Sequence, residues 1–196
     1  MQIFLEIILV ILAVDFGSGL FHWIEDSYGY PDWPLTGKWI TEPDILHHHS
    51  PSLFTKHSWL RSASVLLVIG AVVLAVAWSV DLLTWHVLLF VAIGVNANEF
   101  HKWNHLPRKN RVKLVVVLQE AGLLQSAKDH GKHHVGAMDT HYCVLTNFIN
   151  PTLDSIRFWH GLEWTVEKLL GVSPRSSLDV RADKIVRHEL APSADT

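Results

Sequence analysis

Histidine is the residue type whose number and spacing in this chain point to chemistry. Fourteen histidines occur among 196 residues, and eleven of them fall into three short windows. Imidazole is a nitrogen ligand that suits iron, zinc and copper, so grouped histidines indicate a metal site. The windows contain, in chain order, His22 with Asp26 and then His47, His48, His49 and His57; His101 and His105; and His130, His133, His134 and His141.

The spacing inside each window fits a helix. Residues three or four positions apart lie on one face of an α-helix, where their side chains can share a ligand. The residues spaced in this way are His22 and Asp26, His101 and His105, and His130 with His133 and His134. One such pair alone is more often a coincidence than a metal site. Eight or more imidazoles together exceed what a single four-ligand zinc site uses, so the sequence predicts a two-metal centre.

Ionisable residues outside the windows have other predicted roles. His86 lies inside an apolar segment, where a hydrogen-bonded contact between helices is the favoured interpretation. We interpret His160 and His188 as surface residues. Glu6 and Asp15 also lie in an apolar segment. Ionisable groups at such positions raise a question of function. Asp15 is expected to support the nearby metal ligands, and Glu6 is expected to reach the membrane surface or face a partner helix.

Four apolar segments predict the fold class. Only 18% of the residues are charged and the mean hydropathy is +0.21, which is typical of a membrane protein. Residues 3–21, 62–80 and 82–98 are long enough to cross a bilayer, and the first is interpreted as a retained helix rather than a cleaved signal peptide. Residues 112–127 are shorter and more polar. The sequence therefore predicts an all-α integral membrane protein with about three transmembrane helices, an interfacial or re-entrant helix and a cytoplasmic histidine-rich cap.

Basic residues predict the orientation. They cluster in residues 102–113 and at Lys56 and Arg61, whereas the connection at residues 80–84 has none. Because basic residues favour the cytoplasmic side, the histidine windows are expected there, in a bacterial inner membrane. The basic strip at residues 102–113 is also a candidate for holding a lipid phosphate or docking an electron donor.

Charge and cysteine content exclude two classes of function. The net charge of −3 and the pI near 6.5 give no reason to expect binding to nucleic acid. Cys143 is the only cysteine, so the chain forms no intrachain disulfide and no cysteine-based zinc site.

Five segments resemble, in order, the Kua family of membrane lipid desaturases, which includes the CarF proteins, plasmanylethanolamine desaturases and the plant desaturase of phosphatidylglycerol. The segments are DFGSGLFHWIEDSYG from residue 15, HHHSPSLFTKH from residue 47, NEFHKWNH from residue 98, KHHV with DTHYCVLTNFINPTLD within residues 132–154, and FWHGLE with GVSPR within residues 158–175. The resemblance covers about residues 14–176. It implies a membrane lipid desaturase domain over residues 1–176, followed by a polar tail at residues 177–196.

The resemblance also implies which residues form the catalytic metal site. Alignment through Pro51 selects the first two histidines of the HHH run rather than His49. His49, His57 and His141 are then additional residues that replace or support the main ligands. The implied ligands are His22, Asp26, His47, His48, His101, His105, His130, His133 and His134.

The implied reaction is the O2-dependent introduction of a double bond into a lipid by two iron ions. An external donor, a b-type cytochrome or a ferredoxin system, would supply the electrons. The favoured substrate is a 1-O-alkyl (plasmanyl) phospholipid, which becomes a 1-alkenyl vinyl ether. The alternative substrate is an acyl chain of phosphatidylglycerol, desaturated near its carboxyl end. More distant alternatives are a metal-binding membrane transporter, a haem-binding cytochrome and a zinc hydrolase.

Overall fold

The computed structural model of the chain describes residues 1–175, so the predicted polar tail at residues 177–196 lies outside the described residues. The described part consists of helices and connections and contains no β-strand, which confirms the predicted all-α class. A π-helical turn, Gly37–Thr41, precedes α2, and a 3-10 turn, Arg108–Asn110, precedes α7. The helices are α1 (Gln2–Tyr28), α2 (Glu42–His49), α3 (Pro51–Phe54), α4 (Trp59–Ser79), α5 (Trp85–Gly94), α6 (Ala97–His105), α7 (Lys113–Glu120), α8 (Ala127–His130), α9 (Asn150–Ser155) and α10 (Phe158–Leu170).

Among the described helices, α1 and α4 are long and apolar enough to cross a membrane. They contain 27 and 21 residues, and about 20 residues span the hydrocarbon layer. One side of α4 is apolar and open: Val68, Val72 and Val76 are each more than half exposed. Valines spaced by four residues form one stripe along a helix, so this stripe is suited to contact with lipid.

The third predicted span is interrupted. Residues 82–98 were expected to form one helix, but α5 ends at Gly94 and α6 begins at Ala97. Asn96 accounts for the break, because its side-chain amide donates to the carbonyl of Ala92 at 2.9 Å and competes with the backbone ladder. The amide oxygen of Asn96 accepts a hydrogen bond from Trp59 Nε1. The ten residues of α5 pack against both α1 and α4.

Residues 112–127, expected to be interfacial or re-entrant, contain one short helix. The eight residues of α7 rise about 12 Å, less than half the thickness of the hydrocarbon layer. Gly122 then reverses the chain with a φ of +74°. Gln125 is buried, and its backbone N–H donates to the carbonyl of Leu145 at 2.8 Å. This segment therefore returns to the protein interior, and its one helix is too short to span a bilayer.

The irregular connection at residues 131–149 packs against α1, and Asp15 holds it there. The Asp15 carboxylate accepts hydrogen bonds from the backbone N–H groups of Leu145 at 2.9 Å and Thr146 at 3.1 Å, and from the Thr146 hydroxyl. Asp15 thus fastens the connection instead of contacting the histidines directly. Nearby, a Cβ at Gly19 would lie 2.5 Å from Cys143 Sγ, so this close approach requires glycine.

A polar pair joins α1 to α5 at a distance from the histidine windows. His86 Nε2 lies 3.2 Å from Glu6 Oε2. The structure therefore has the interhelical contact that was predicted for His86, and it shows that Glu6 faces a neighbouring helix.

Candidate metal centre

The fold brings together all nine predicted ligands. They come from the last turns of α1, α2 and α6 and from α8 with the turn that follows it. The nine residues divide into two groups, and in each group the ligand atoms all lie within 4.8 Å of one another. The first group is His47, His101, His105, His130 and His134, and the second is His22, Asp26, His48 and His133.

The first group has ring nitrogens at the spacing of metal ligands. Nε2 of His101 lies 2.9 Å from that of His130 and 3.2 Å from that of His105, and the His105 and His130 atoms are 3.0 Å apart. A ring nitrogen carries either one proton or one lone pair, so three nitrogens in a triangle cannot all be satisfied by hydrogen bonds. Two ligands at right angles, each about 2.1 Å from a metal, would be about 3.0 Å apart. The triangle therefore fits a metal ion.

The second group is organised by the carboxylate of Asp26. Oδ1 lies 2.9 Å from His48 Nε2. Oδ2 lies 3.2 Å from His133 Nε2 and 3.8 Å from His22 Nε2. Imidazoles together with one carboxylate oxygen are a ligand set that binds non-haem iron.

Backbone carbonyls orient three of the rings. Nδ1 donates to Tyr142 O at 3.1 Å in His22, to Asp44 O at 2.9 Å in His47 and to Thr140 O at 2.7 Å in His133. A carbonyl only accepts, so Nδ1 holds the proton and Nε2 keeps its lone pair. Within residues 1–175 these three Nε2 atoms are buried and make no hydrogen bond. Metal-binding histidines have this arrangement, and the residues present fit a metal pair.

Burial keeps the first group in the neutral form that binds metals. Burial, followed by the neighbouring imidazoles, lowers the pKa of His47, His101 and His130 well below the ordinary value. The same causes lower the pKa of His105 to about 4. At neutral pH these rings are therefore unprotonated, and metal binding requires no release of protons from them.

The additional histidines lie outside both groups. His49 is exposed at the end of α2 and belongs to neither group. The backbone carbonyl of His57 accepts a hydrogen bond from Lys102 Nζ at 2.8 Å. His141 Nδ1 lies 2.8 Å from Asp154 Oδ2.

Asp44 belongs to the site but was not predicted. It is buried and forms a third group with His22, His47 and His48, again within 4.8 Å. Its Oδ2 lies 3.9 Å from Nη2 of Arg175, which also donates to the carbonyl of Asp26 at 2.8 Å. The D-x-x-H-H spacing was a usable signal, because it puts the carboxylate on the same face of α2 as the two rings.

Three cavities reach the cluster, and two of them share part of their walls. An apolar cavity of about 170 Å³ lies among α1, α4, α5 and α6 and ends at His22 and His101; its wall includes Val14, Gly17, Ile69, Val73 and Phe90. A larger, more polar cavity of about 400 Å³ reaches His47 and His101 and includes Lys38, Trp39 and Arg61. The residues that line both cavities are Phe21, Glu25, Leu66, Asn98 and His101.

Comparisons with known proteins show the family of the chain. The sequence model of the lipid desaturase domain matches residues 11–177. A probable fatty acid desaturase of Acanthamoeba polyphaga mimivirus is 32% identical, with 88% of this chain and 86% of the relative aligned. Plasmanylethanolamine desaturase 1 of Mus musculus is 31% identical over 93% of this chain and 72% of its own length. The chloroplastic fatty acid desaturase 4 of Arabidopsis thaliana is 30% identical over 92% and 56%. No solved structure matches.

Proposed function

The chain belongs to the lipid desaturase family, and from that premise we propose that it is an O2-dependent di-iron desaturase of plasmanyl phospholipids. The proposal rests on one observation: nine potential ligands form two adjacent groups at the end of an apolar cavity between membrane-length helices. Its relatives are named as desaturases, which supports an oxidoreductase that acts on a lipid.

The proposed reaction couples the oxidation of the lipid chain to the reduction of O2. Two C–H bonds on adjacent carbons of the saturated chain break and a C=C bond forms, which supplies two electrons and two protons. An external donor, such as a b-type cytochrome or a ferredoxin system, supplies two more electrons, and two further protons come from solvent. One O2 is thereby reduced to two molecules of water.

Each group would hold one metal. His47, His101 and the other three histidines of the first group offer ring nitrogens, and the second group adds the carboxylate of Asp26. When bound, a pair of irons would supply the activation of O2 that removal of unactivated hydrogens requires. The carbonyls of Tyr142, Asp44 and Thr140 keep three rings aimed inward, so the geometry is set before substrate enters.

The two cavities support a substrate whose reacting carbons lie next to glycerol. A saturated chain fits the apolar cavity, and the glycerol end fits the more polar one. The first chain carbons would then lie along the shared wall, beside His101. Carbons 1 and 2 of an sn-1 alkyl ether meet this requirement. Carbons near the carboxyl group of an acyl chain in phosphatidylglycerol meet it as well, and this is the second candidate.

The proposed site faces the cytoplasm. The last turn of α1 and the first turn of α4 both lie at the end of the helices that carries the cluster, because His22 and Ser62 line cavities with His101. Lys56 and Arg61 flank this end, and the opposite connection at residues 80–84 has no basic residue. The positive-inside rule therefore favours a cytoplasmic cluster, in a bacterial inner membrane.

A metal transporter is disfavoured by where the ligands lie. Transport predicts ionisable side chains along a path through the membrane. Here the predicted ligands gather at one end, and the histidine within the apolar region, His86, is engaged by Glu6 at 3.2 Å.

Lipid mass spectrometry tests the proposal. The chain and its His101→Ala variant are expressed in a host that lacks plasmalogens and is supplied with 1-O-alkyl phospholipid. We expect an acid-labile vinyl ether from the wild type and none from the variant. If iron-loaded wild type makes no vinyl ether, the ether-lipid assignment is wrong. A new double bond in phosphatidylglycerol acyl chains would then identify the second candidate.

A further inference from the structure

We propose that Lys38 and Arg61 form a binding site for the phosphate of the lipid substrate. This inference deepens the proposed function and rests on it, because it takes the substrate to be a glycerophospholipid. Both side chains line the larger cavity, which reaches the metal centre at His47 and His101. Lys38 lies in the π-helical turn and Arg61 lies in the first turn of α4, so two separate elements contribute one cation each.

Neither cation is neutralised by the part of the chain that the structure describes. Within residues 1–175, Lys38 and Arg61 make no ion pair with a carboxylate, whereas other basic side chains do. Both side chains are exposed, and both line this cavity. A phosphate needs such partners, because charge-assisted hydrogen bonds from arginine and lysine are the main means of holding it.

The basic strip at residues 102–113 fits this task less well. Lys102 is buried, and its Nζ contacts Glu99 Oε1 at 2.6 Å and the carbonyl of His57 at 2.8 Å. Arg108 pairs with Glu120 at 2.7 Å. These contacts occupy two of the five charges in the strip, and none of the five side chains lines either cavity, so Lys38 and Arg61 are better placed for the phosphate.

The geometry of a glycerophospholipid agrees with the placement. Its phosphate and its sn-1 chain leave opposite ends of a three-carbon glycerol, so a site for both needs two compartments that meet. The two cavities share a wall that includes Phe21, Leu66 and His101. When the phosphate binds Lys38 and Arg61, the sn-1 chain enters the apolar cavity. The linkage between this chain and glycerol then lies at the shared wall, beside the cluster.

Lipid binding by the purified full-length chain tests the site without requiring turnover. The probes are 1-O-hexadecyl-2-oleoyl-glycerophosphoethanolamine and the matched 1-O-hexadecyl-2-oleoyl-glycerol, which lacks the phosphate. We expect Arg61→Gln and Lys38→Gln each to weaken binding of the phospholipid about tenfold. Binding of the phosphate-free lipid should stay within about twofold of wild type, since its contacts are apolar.

Two further variants provide controls. Lys56→Gln removes a cation that precedes α4 but does not line the cavity, and it should leave both affinities unchanged. Arg61→Lys keeps the charge and should restore most of the affinity. The proposal is wrong if the double variant Lys38→Gln/Arg61→Gln binds the phospholipid as wild type does, or if both probes lose affinity equally, since equal loss would mean that the cavity has collapsed.

Turnover separates the two proposals. If wild type forms the vinyl ether, the double variant should raise KM for the phospholipid about tenfold or more and change kcat little, because the metal ligands are untouched. An unchanged KM with active wild type would reject the phosphate site and leave the desaturase. Selective loss of phospholipid binding in a chain that makes no vinyl ether would reject the ether-lipid desaturase and leave the phosphate site.

Discussion

Nδ1 of His22 donates a hydrogen bond of 3.1 Å to the backbone carbonyl of Tyr142, 120 residues further along the chain. The bond joins the next-to-last turn of α1 to the irregular connection at residues 131–149. It also fixes the proton on Nδ1, so that Nε2 faces Asp26 with a free lone pair. The orientation of this ligand therefore depends on how closely the connection approaches α1.

Gly19→Ala is expected to disturb that approach. A methyl group at this position would lie 2.5 Å from Cys143 Sγ and 3.1 Å from the Cys143 backbone nitrogen. Relieving the overlap should cost about 1–3 kcal/mol of unfolding free energy, as other overpacked cores do. The measurement is thermal unfolding of the metal-free chain in detergent, followed by the iron content of the reconstituted variant.

Gly161→Ala is the matched control, since a Cβ there meets no atom within 4 Å and alanine favours the helical conformation of α10. Its melting temperature should equal or exceed that of wild type. Equal melting temperatures for Gly19→Ala and wild type would show that the connection can move away from α1 at no cost.

Neighbouring histidines on α2 are expected to differ in their effect on iron. His48 Nε2 lies 2.9 Å from Asp26 Oδ1, whereas His49 is exposed and belongs to neither ligand group. His48→Ala should lower the iron content from about two to about one per chain, because the second group loses a ligand. His49→Ala should keep the wild-type content. Metal analysis of both purified variants measures the difference. A lower iron content in His49→Ala than in His48→Ala would mean that the ligand lies one residue further along this histidine run.

The ligand set was accessible from sequence because it follows local spacing. Asp26 stands one helical turn after His22, and His105 stands one turn after His101, so each pair needed only a helix to be aligned. The resemblance then linked pairs that are far apart in the chain. The long apolar segments likewise predicted the helical class, which the structure of the described residues confirms.

Features that depend on tertiary contact were not accessible in this way. The division into two groups requires the approach of four separate elements. The carbonyls of Thr140 and Tyr142 orient rings through the backbone, which leaves no trace in residue identity. The break before α6 depends on Asn96 finding a carbonyl on one side and Trp59 on the other. Asp44 did leave a local signal, three residues before His47.

The metal-free chain is expected to lose stability as the pH falls below about 6.5. Burial, followed by neighbouring imidazoles, lowers the pKa of His105 to about 4 from an ordinary value of 6.5. Between these values the unfolded chain binds more protons than the folded chain, so stability rises with pH in that window and is fully present above it. Thermal unfolding in detergent between about pH 7.5 and pH 5 measures the slope.

His105→Asn tests the assignment of the slope, because it removes one of the titrating groups. As the pH falls over the same range, the melting temperature of the variant should decrease less than that of wild type, whatever its absolute stability. A wild-type melting temperature that does not change with pH would contradict the prediction, since it would mean that the folded chain takes up protons as readily as the unfolded chain.

Filling the apolar cavity is expected to change the chain that the protein accepts. Val73 on α4 lines this cavity, whereas the adjacent Val72 lies about 100° further round the helix, is 57% exposed and does not line it. Val73→Trp should shorten the cavity and reduce kcat/KM for a hexadecyl chain about tenfold or more, with a smaller loss for a shorter decyl chain. Val73 lies about 16 Å along α4 from Ser62 at the cluster end, which is further than an extended decyl chain reaches. Val72→Trp adds the same side chain where lipid has room for it, and it should leave both rates near those of wild type.

Product analysis with the two alkyl phospholipids in separate and competing assays measures the preference. Equal losses for the two chain lengths in Val73→Trp would show that the chain does not lie along this part of α4.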